Sequence, residues 1–101
     1  MSKKLPPMHP GEVLREEFLA PLKLSAGQLA SQMGVPRTRV ERIASEDVSI
    51  TADTALRLGK ALGTSPQLWL NLQNDFDLQM AKREIGKIVE KIKPVKAPTA
   101  A

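Results

Sequence analysis

Three guanidinium side chains crowd into one short stretch of the chain, "GQLASQMGVPRTRVERI" at residues 27–43: Arg37, Arg39 and Arg42, with Thr38 among them. Arginine forms bidentate hydrogen bonds to the O6 and N7 atoms of guanine, and a threonine methyl can pack on the methyl of thymine. Such residues read base edges only if one helix presents them together. At about 100° per residue, Val40 and Ile43 define an apolar side, and Thr38 and Arg42 point nearly opposite it, one turn apart. Arg37 and Arg39 lie on the flanks, with Glu41 and Ser45 nearby. The competing reading is an ordinary solvated helix face, because Arg37 and Glu41 stand four residues apart and can simply pair.

Other chemistries find less support. Ser25 has no base in a suggestive position, and Glu16, Glu17, Glu46 and Asp47 are neighbouring acids rather than opposed pairs. His9 is the sole histidine and there is no cysteine, so no metal site is expected. Gly59 and Gly63 lie in and after a helix and make no phosphate loop. The expectation is a protein without catalytic residues and without a cofactor.

The elements that must position the arginines are legible from their ends. Ser25 and Gln28 fit a capping box, flanked by Leu24 and Leu29 at the spacing of a hydrophobic staple. The helix they open buries Leu29, Ala30 and Met33 and stops at Gly34; Pro36 opens the next, carrying the arginines outward and Val40, Ile43 and Ala44 inward. Two short helices about a glycine-containing turn form a helix-turn-helix, whose second helix enters the major groove of DNA. The N-terminus of the first helix of the pair adds backbone amides suited to a phosphate, next to Ser25 and Gln28.

Around this pair, a first helix is predicted from Pro10, with Val13, Leu14 and Phe18 inward and Pro21 as its end. Thr51 caps a fourth, with Ala55, Leu58, Gly59 and Leu62 on one face and Gly63 beyond it. Ser65 with Pro66 starts a fifth, which carries Leu68, Trp69, Leu72, Phe76 and Met80 and then IGKIVEKI up to Lys93. No segment has a strand pattern. The expected fold is all-α, five helices, with a flexible arm over residues 1–8, one domain over 9–93 and a disordered tail over 94–101.

Composition sets looser bounds. A chain of 101 residues with 42% hydrophobic content supports one modest core. Its 15 basic and 11 acidic residues are spread evenly, so they permit a polyanionic partner without requiring one. The lysines at the N-terminus precede no apolar run, and nothing approaches the length of a membrane span. With no cysteine present, a cytoplasmic location is expected. Ile85, Ile88, Val89 and Ile92 form an apolar stripe that so small a core cannot cover. A second subunit or another protein is the expected cover, with Trp69, Phe76 and Met80 completing a dimerisation surface along the fifth helix.

The span from His9 to Ala81 resembles the HigA-type antitoxins, within the phage-repressor-like (XRE/Cro-type) helix-turn-helix proteins. The stretches that carry the likeness are "HPGEVLREEFLAPL", "LASQMGVPRTRVERI" and "ITADTALRLGKALGTSPQLWLNLQNDFDL". The last is the most specific, since ordinary repressors of this fold do not usually have it. The resemblance implies a lambda-repressor-like fold and a homodimer at the nucleoid. Its double-stranded operator would be met through Arg37, Thr38, Arg39 and Arg42, with Ser25 and Gln28 beside the backbone. It also implies a HigB-type partner toxin, typically an mRNA-cleaving ribonuclease. Two departures stand out. Ser45, Glu46 and Asp47 replace the usual Asn-Gly-Lys or Asn-Gly-Arg, so either this loop turns away from phosphate or binding is weakened; and Phe76 stands where tyrosine is usual. A stand-alone repressor, or a helix-turn-helix used only to bind protein, are the rival readings.

Overall fold

His9 ends the extended segment that enters the first helix, and its Nδ1 accepts the amide of Gly11 at 2.9 Å. The computed structural model describes residues 8–95; most of the expected arm and tail therefore lies outside the described residues. Helix α1 runs continuously over residues 10–22, with α geometry at Pro10–Val13 and Ala20–Leu22 and a π segment at Leu14–Leu19 between them. Pro21 was expected to end this helix, yet the chain stays helical through Leu22 and turns at Lys23, in the left-handed region with φ 52°. A proline ring collides with the carbonyl four residues back in α geometry. The wider π turn, in which the Ala20 amide bonds to the Arg15 carbonyl, opens that spacing just before Pro21.

Four further helices follow: α2 (Ala26–Met33), α3 (Arg37–Ala44), α4 (Ala52–Leu62) and α5 (Pro66–Glu90). Their starts obey the side-chain chemistry. Thr51 Oγ1 accepts from the Thr54 amide, and Ser65 Oγ accepts from the Leu68 amide at 3.1 Å, with Pro66 at the first helical position. Such caps contribute about 1 kcal/mol each. Gly34 and Gly63 end α2 and α4 in the left-handed region, at φ 72° and 75°. No strand occurs among the described residues.

The core draws one or more residues from each helix: Leu14, Leu29, Ala30, Met33, Val40, Ile43, Ile50, Ala55, Leu58 and Trp69. Its buried polar members are satisfied. Trp69 Nε1 donates to Thr64 Oγ1 at 2.8 Å, and Gln73 accepts the Ile50 amide at 2.7 Å while donating to Asp77 at 3.0 Å. Gln73 thus ties α5 to the chain between α3 and α4, a role its sequence position did not suggest.

Gly11 sets how closely α1 approaches α3. A β-carbon at this position would collide with the carbonyl oxygen of Ile43, a backbone atom with no rotamer to escape into. Gly11→Ala is therefore expected to destabilise the fold by about 2–3 kcal/mol, the upper part of the range for overpacked sites. Urea unfolding checks this, through a lower midpoint at unchanged slope.

The last helix is longer than the core it serves. At 1.5 Å per residue its 25 residues span about 37 Å, and the described chain measures 51 × 31 × 24 Å. It ends at Glu90 rather than Lys93, so Ile92 lies beyond it. Pro94 disfavours helical geometry in the residue before it, and the amides of Lys91 and Ile92 close the end on Ile88 and Val89 carbonyls.

Candidate nucleic-acid interface

The turn between α2 and α3 is built from both sides. Ser25 Oγ accepts the Gln28 amide at 3.0 Å, and Gln28 Oε1 accepts the Ser25 amide at 2.9 Å, which completes the capping box. At the far end the Gly34 amide meets Ser31 and Ala30 carbonyls, and Val35 bonds back to Ala30. Arg57, reaching over from α4, donates to the Met33 carbonyl at 2.7 Å. The turn is thereby fastened to α4 as well as closed on itself.

Val40 and Ile43 are fully buried, and Arg37, Thr38, Arg39 and Arg42 are all exposed, Thr38 and Arg42 opposite the buried pair and Arg37 and Arg39 on its flanks. The arginines differ in their partners. Arg37 pairs with Glu41 at 3.4 Å, one turn along the same helix, and its stem passes over Gly27 at the start of α2. Arg39 reaches Asp53 on α4 at 3.1 Å. Arg42 makes no ion pair among the described residues. Thr38, Arg39 and Arg42 line one open concavity, whose other wall is Val48, Ser49, Thr51 and Asp53.

Asp53 is shared. One carboxylate oxygen receives Arg39 from α3 and Arg57 Nε from α4, the latter at 2.8 Å. The hydrogen bond and charge of Arg57, with those of Arg39 behind them, hold its carboxyl below the usual carboxylate range. Asp53, Arg57 and Ser49 were not singled out from sequence. The i, i+4 spacing of Asp53 and Arg57 was visible there, but the link to Arg39 spans 14 residues and needs the fold.

The loop that departs from the family pattern has its own account. Glu46 is in the left-handed region at φ 67°, the conformation for which the usual glycine is suited. Its carboxylate turns back to Arg15 on α1 at 3.3 Å, and the same guanidinium donates to the Ala44 carbonyl that ends α3. Asp47 accepts from Ser45 Oγ at 2.8 Å. Glu46 is thus paired on the α1 side and does not line the concavity. Glu46→Gly removes the left-handed strain, roughly 1–2 kcal/mol, against an exposed pair and added chain entropy. A net stabilisation of about 0.5–1 kcal/mol is expected. A rise in the thermal midpoint checks this.

The expected dimerisation surface divides. Trp69 has no exposed area; it sits in the chain's own core against the ring of Phe18 at 5.4 Å, so it has nothing to offer a second subunit. Phe76 is half-buried, its ring edge-on to His9 at 4.8 Å. Met80 is 38% exposed at the margin of that same side. Ile85, Ile88, Val89 and Ile92 are exposed, and with them Leu78, which was not included. By the helical period, Leu78, Ile85 and Val89 cluster at about 160–200° from Trp69. The helix therefore changes its apolar side midway: the first half faces the core and the second faces away from it. Leu78, Ala81, Ile85, Gly86 and Val89 line a shallow groove there.

Comparison with known proteins places this arrangement. The helix-turn-helix family pattern matches residues 14–69. The chain is 48% identical over 81 residues to virulence-associated protein I of Dichelobacter nodosus, covering 80% of this chain and 75% of that one. It is 36% identical over 89 residues to antitoxin HigA-1 of Vibrio cholerae serotype O1, covering 88% of this chain and 84% of the relative. Among solved structures, Pseudomonas aeruginosa antitoxin HigA with the higBA promoter superposes with a TM-score of 0.84 at 41% identity, covering 89% of this chain and 99% of that one. The all-helical order, the turn at Gly34 and the long last helix are thus those of a known group, and the chain belongs to the HigA-type antitoxins of the helix-turn-helix family.

Proposed function

We propose that this protein binds the operator of its own operon as a two-fold dimer, with α3 in the major groove, and neutralises a partner ribonuclease toxin. The observation that carries the DNA-binding half is the outward face of α3. Thr38 and Arg42 are exposed and uncommitted among the described residues, while Arg37 and Arg39 are held beside them. Arg42 and Thr38 read bases; Arg37 and Arg39 meet bases or phosphates; the capped start of α2, at Ser25 and Gln28, meets the backbone. The protein acts by binding, without catalysis or cofactor, in the cytoplasm where its operator lies. Residues 9–93 are the working unit, and the surrounding arm and tail are accessory.

Membership of the antitoxin family supports the toxin partner, and the apolar groove on α5 supports the second subunit. Pairing of Glu46 with Arg15 lessens the repulsion that favoured a module limited to protein contacts. Two measurements test the proposal. A duplex from upstream of the protein's own gene should shift in a gel in preference to a scrambled duplex. The product of the neighbouring open reading frame should copurify with the antitoxin when the two are expressed together. Failure of the first removes the operator, and failure of the second leaves a stand-alone repressor.

A further inference from the structure

We infer that Asp53 is a specificity-determining residue: by holding Arg39 across the concavity it reserves that guanidinium for base edges and withholds it from phosphates. The inference rests on the operator-binding reading above. It starts from a chain of contacts that crosses three elements. Carbonyls of the turn between α2 and α3, at Met33 and Gly34, accept from Arg57; Arg57 donates to Asp53; Asp53 accepts from Arg39 on α3. Both arginines meet the same oxygen of the carboxylate.

As a source of stability this network is unremarkable. The side chains of Arg39, Asp53 and Arg57 are 42%, 58% and 41% exposed, and exposed ion pairs contribute little. Its position is what matters. Asp53 forms part of the wall that faces Arg42, Thr38 and Arg39, where an acid opposes the approach of any polyanion. An acid in that wall weakens binding to every duplex, whatever its sequence. It can favour one sequence over another only by what it does to its neighbour. Paired with Asp53, which also serves Arg57, the Arg39 charge is partly offset and its guanidinium is drawn toward the far side of the cleft. An unpaired arginine at the same place would swing to the nearest phosphate, which carries no sequence information. Arg57 keeps the carboxylate aimed, and it is anchored in turn on the helix-turn-helix itself.

Asp53→Asn keeps the size of the side chain and removes its charge, so the fold is expected to persist. Affinity for a scrambled duplex should rise, and its dependence on salt should steepen by about one ion per subunit, as one more cation becomes available to phosphate. Preference for the upstream duplex over the scrambled one should fall roughly tenfold, the scale of one lost base contact. The same change is then made in an Arg39→Ala background, where Asp53 has nothing to hold. There the preference should not fall further, because a residue acting through Arg39 cannot act twice. The inference is overturned if Asp53→Asn leaves preference and salt dependence at wild-type values. An equal fall with and without Arg39 also overturns it, since that assigns Asp53 a general structural role. Wild-type protein that cannot tell the upstream duplex from the scrambled one defeats the operator reading, and this inference with it.

Discussion

Arg42→Ala is expected to abolish operator discrimination while leaving the fold untouched. Val40 and Ile43 hold α3 to the core, and Arg42 projects from the opposite side without an ion pair among the described residues. Truncating it removes no packing, so stability should stay within about 0.5 kcal/mol of wild type, as for other surface positions away from a cap or network. A bidentate contact to a base is worth about 1–3 kcal/mol, and a dimer makes it in both half-sites. The combined loss, about 2–6 kcal/mol, corresponds to a fall in preference of roughly thirtyfold to more than 10⁴-fold. Competition between the upstream duplex and a scrambled one measures it. Arg37→Ala supplies the contrast. Arg37 is engaged with Glu41 and lies at the flank, so its loss should weaken both duplexes more evenly. Unchanged preference in Arg42→Ala would move base reading to Thr38 and Arg39.

The helix-turn-helix was legible because its determinants are local. Ser25 with Gln28, Gly34 and the apolar pair Val40 and Ile43 act over three or four residues, and each does in the fold what its chemistry requires. Contacts between distant segments were not legible. Glu46 is 31 residues from Arg15, and nothing in the loop sequence says that its carboxylate turns toward α1. Arg39 and Asp53 meet only because α2 packs against both α3 and α4 and so sets the two across one concavity. Gln73 looked like one polar residue on an amphipathic helix, yet it is buried and bonded to Ile50. The π segment of α1 is a different case, since it adjusts the backbone ahead of Pro21 where the sequence suggested an end.

The long last helix carries two apolar sides rather than one. Trp69, Phe76, Met80, Ile85, Ile88, Val89 and Ile92 are all apolar and more than one small core can cover, which suggests one surface. A period of 3.6 residues does not keep them on one side. Trp69, Gln73 and Phe76 face the core, and Leu78, Ile85 and Val89 lie on nearly the opposite side.

That separation sharpens the expected dimer. The exposed stripe has no partner among the described residues, and the charged residues along its groove are a base, Lys82, and an acid, Glu90. An antiparallel pairing of two such helices sets Lys82 of each near Glu90 of the other and gives an isologous contact. Ile85 lies near the middle of the stripe, so a two-fold axis there brings it close to its own symmetry mate. Ile85→Asp would then bury two carboxylates against each other, each several kilocalories per mole out of place. The variant is expected to be monomeric at micromolar concentration by sedimentation. Its own fold should survive, because Ile85 is 45% exposed and outside the core. Operator binding should be lost with the dimer, since one recognition helix buries too little surface for useful specificity. Two helices set about 34–36 Å apart multiply the discrimination of each half-site. A companion change, Trp69→Ala, should do the reverse: unfold the monomer by removing its largest core side chain, about 3–5 kcal/mol. A dimer that persists in Ile85→Asp would place the interface elsewhere, and a wild-type protein that sediments as a monomer on its operator would refute the two-fold arrangement itself.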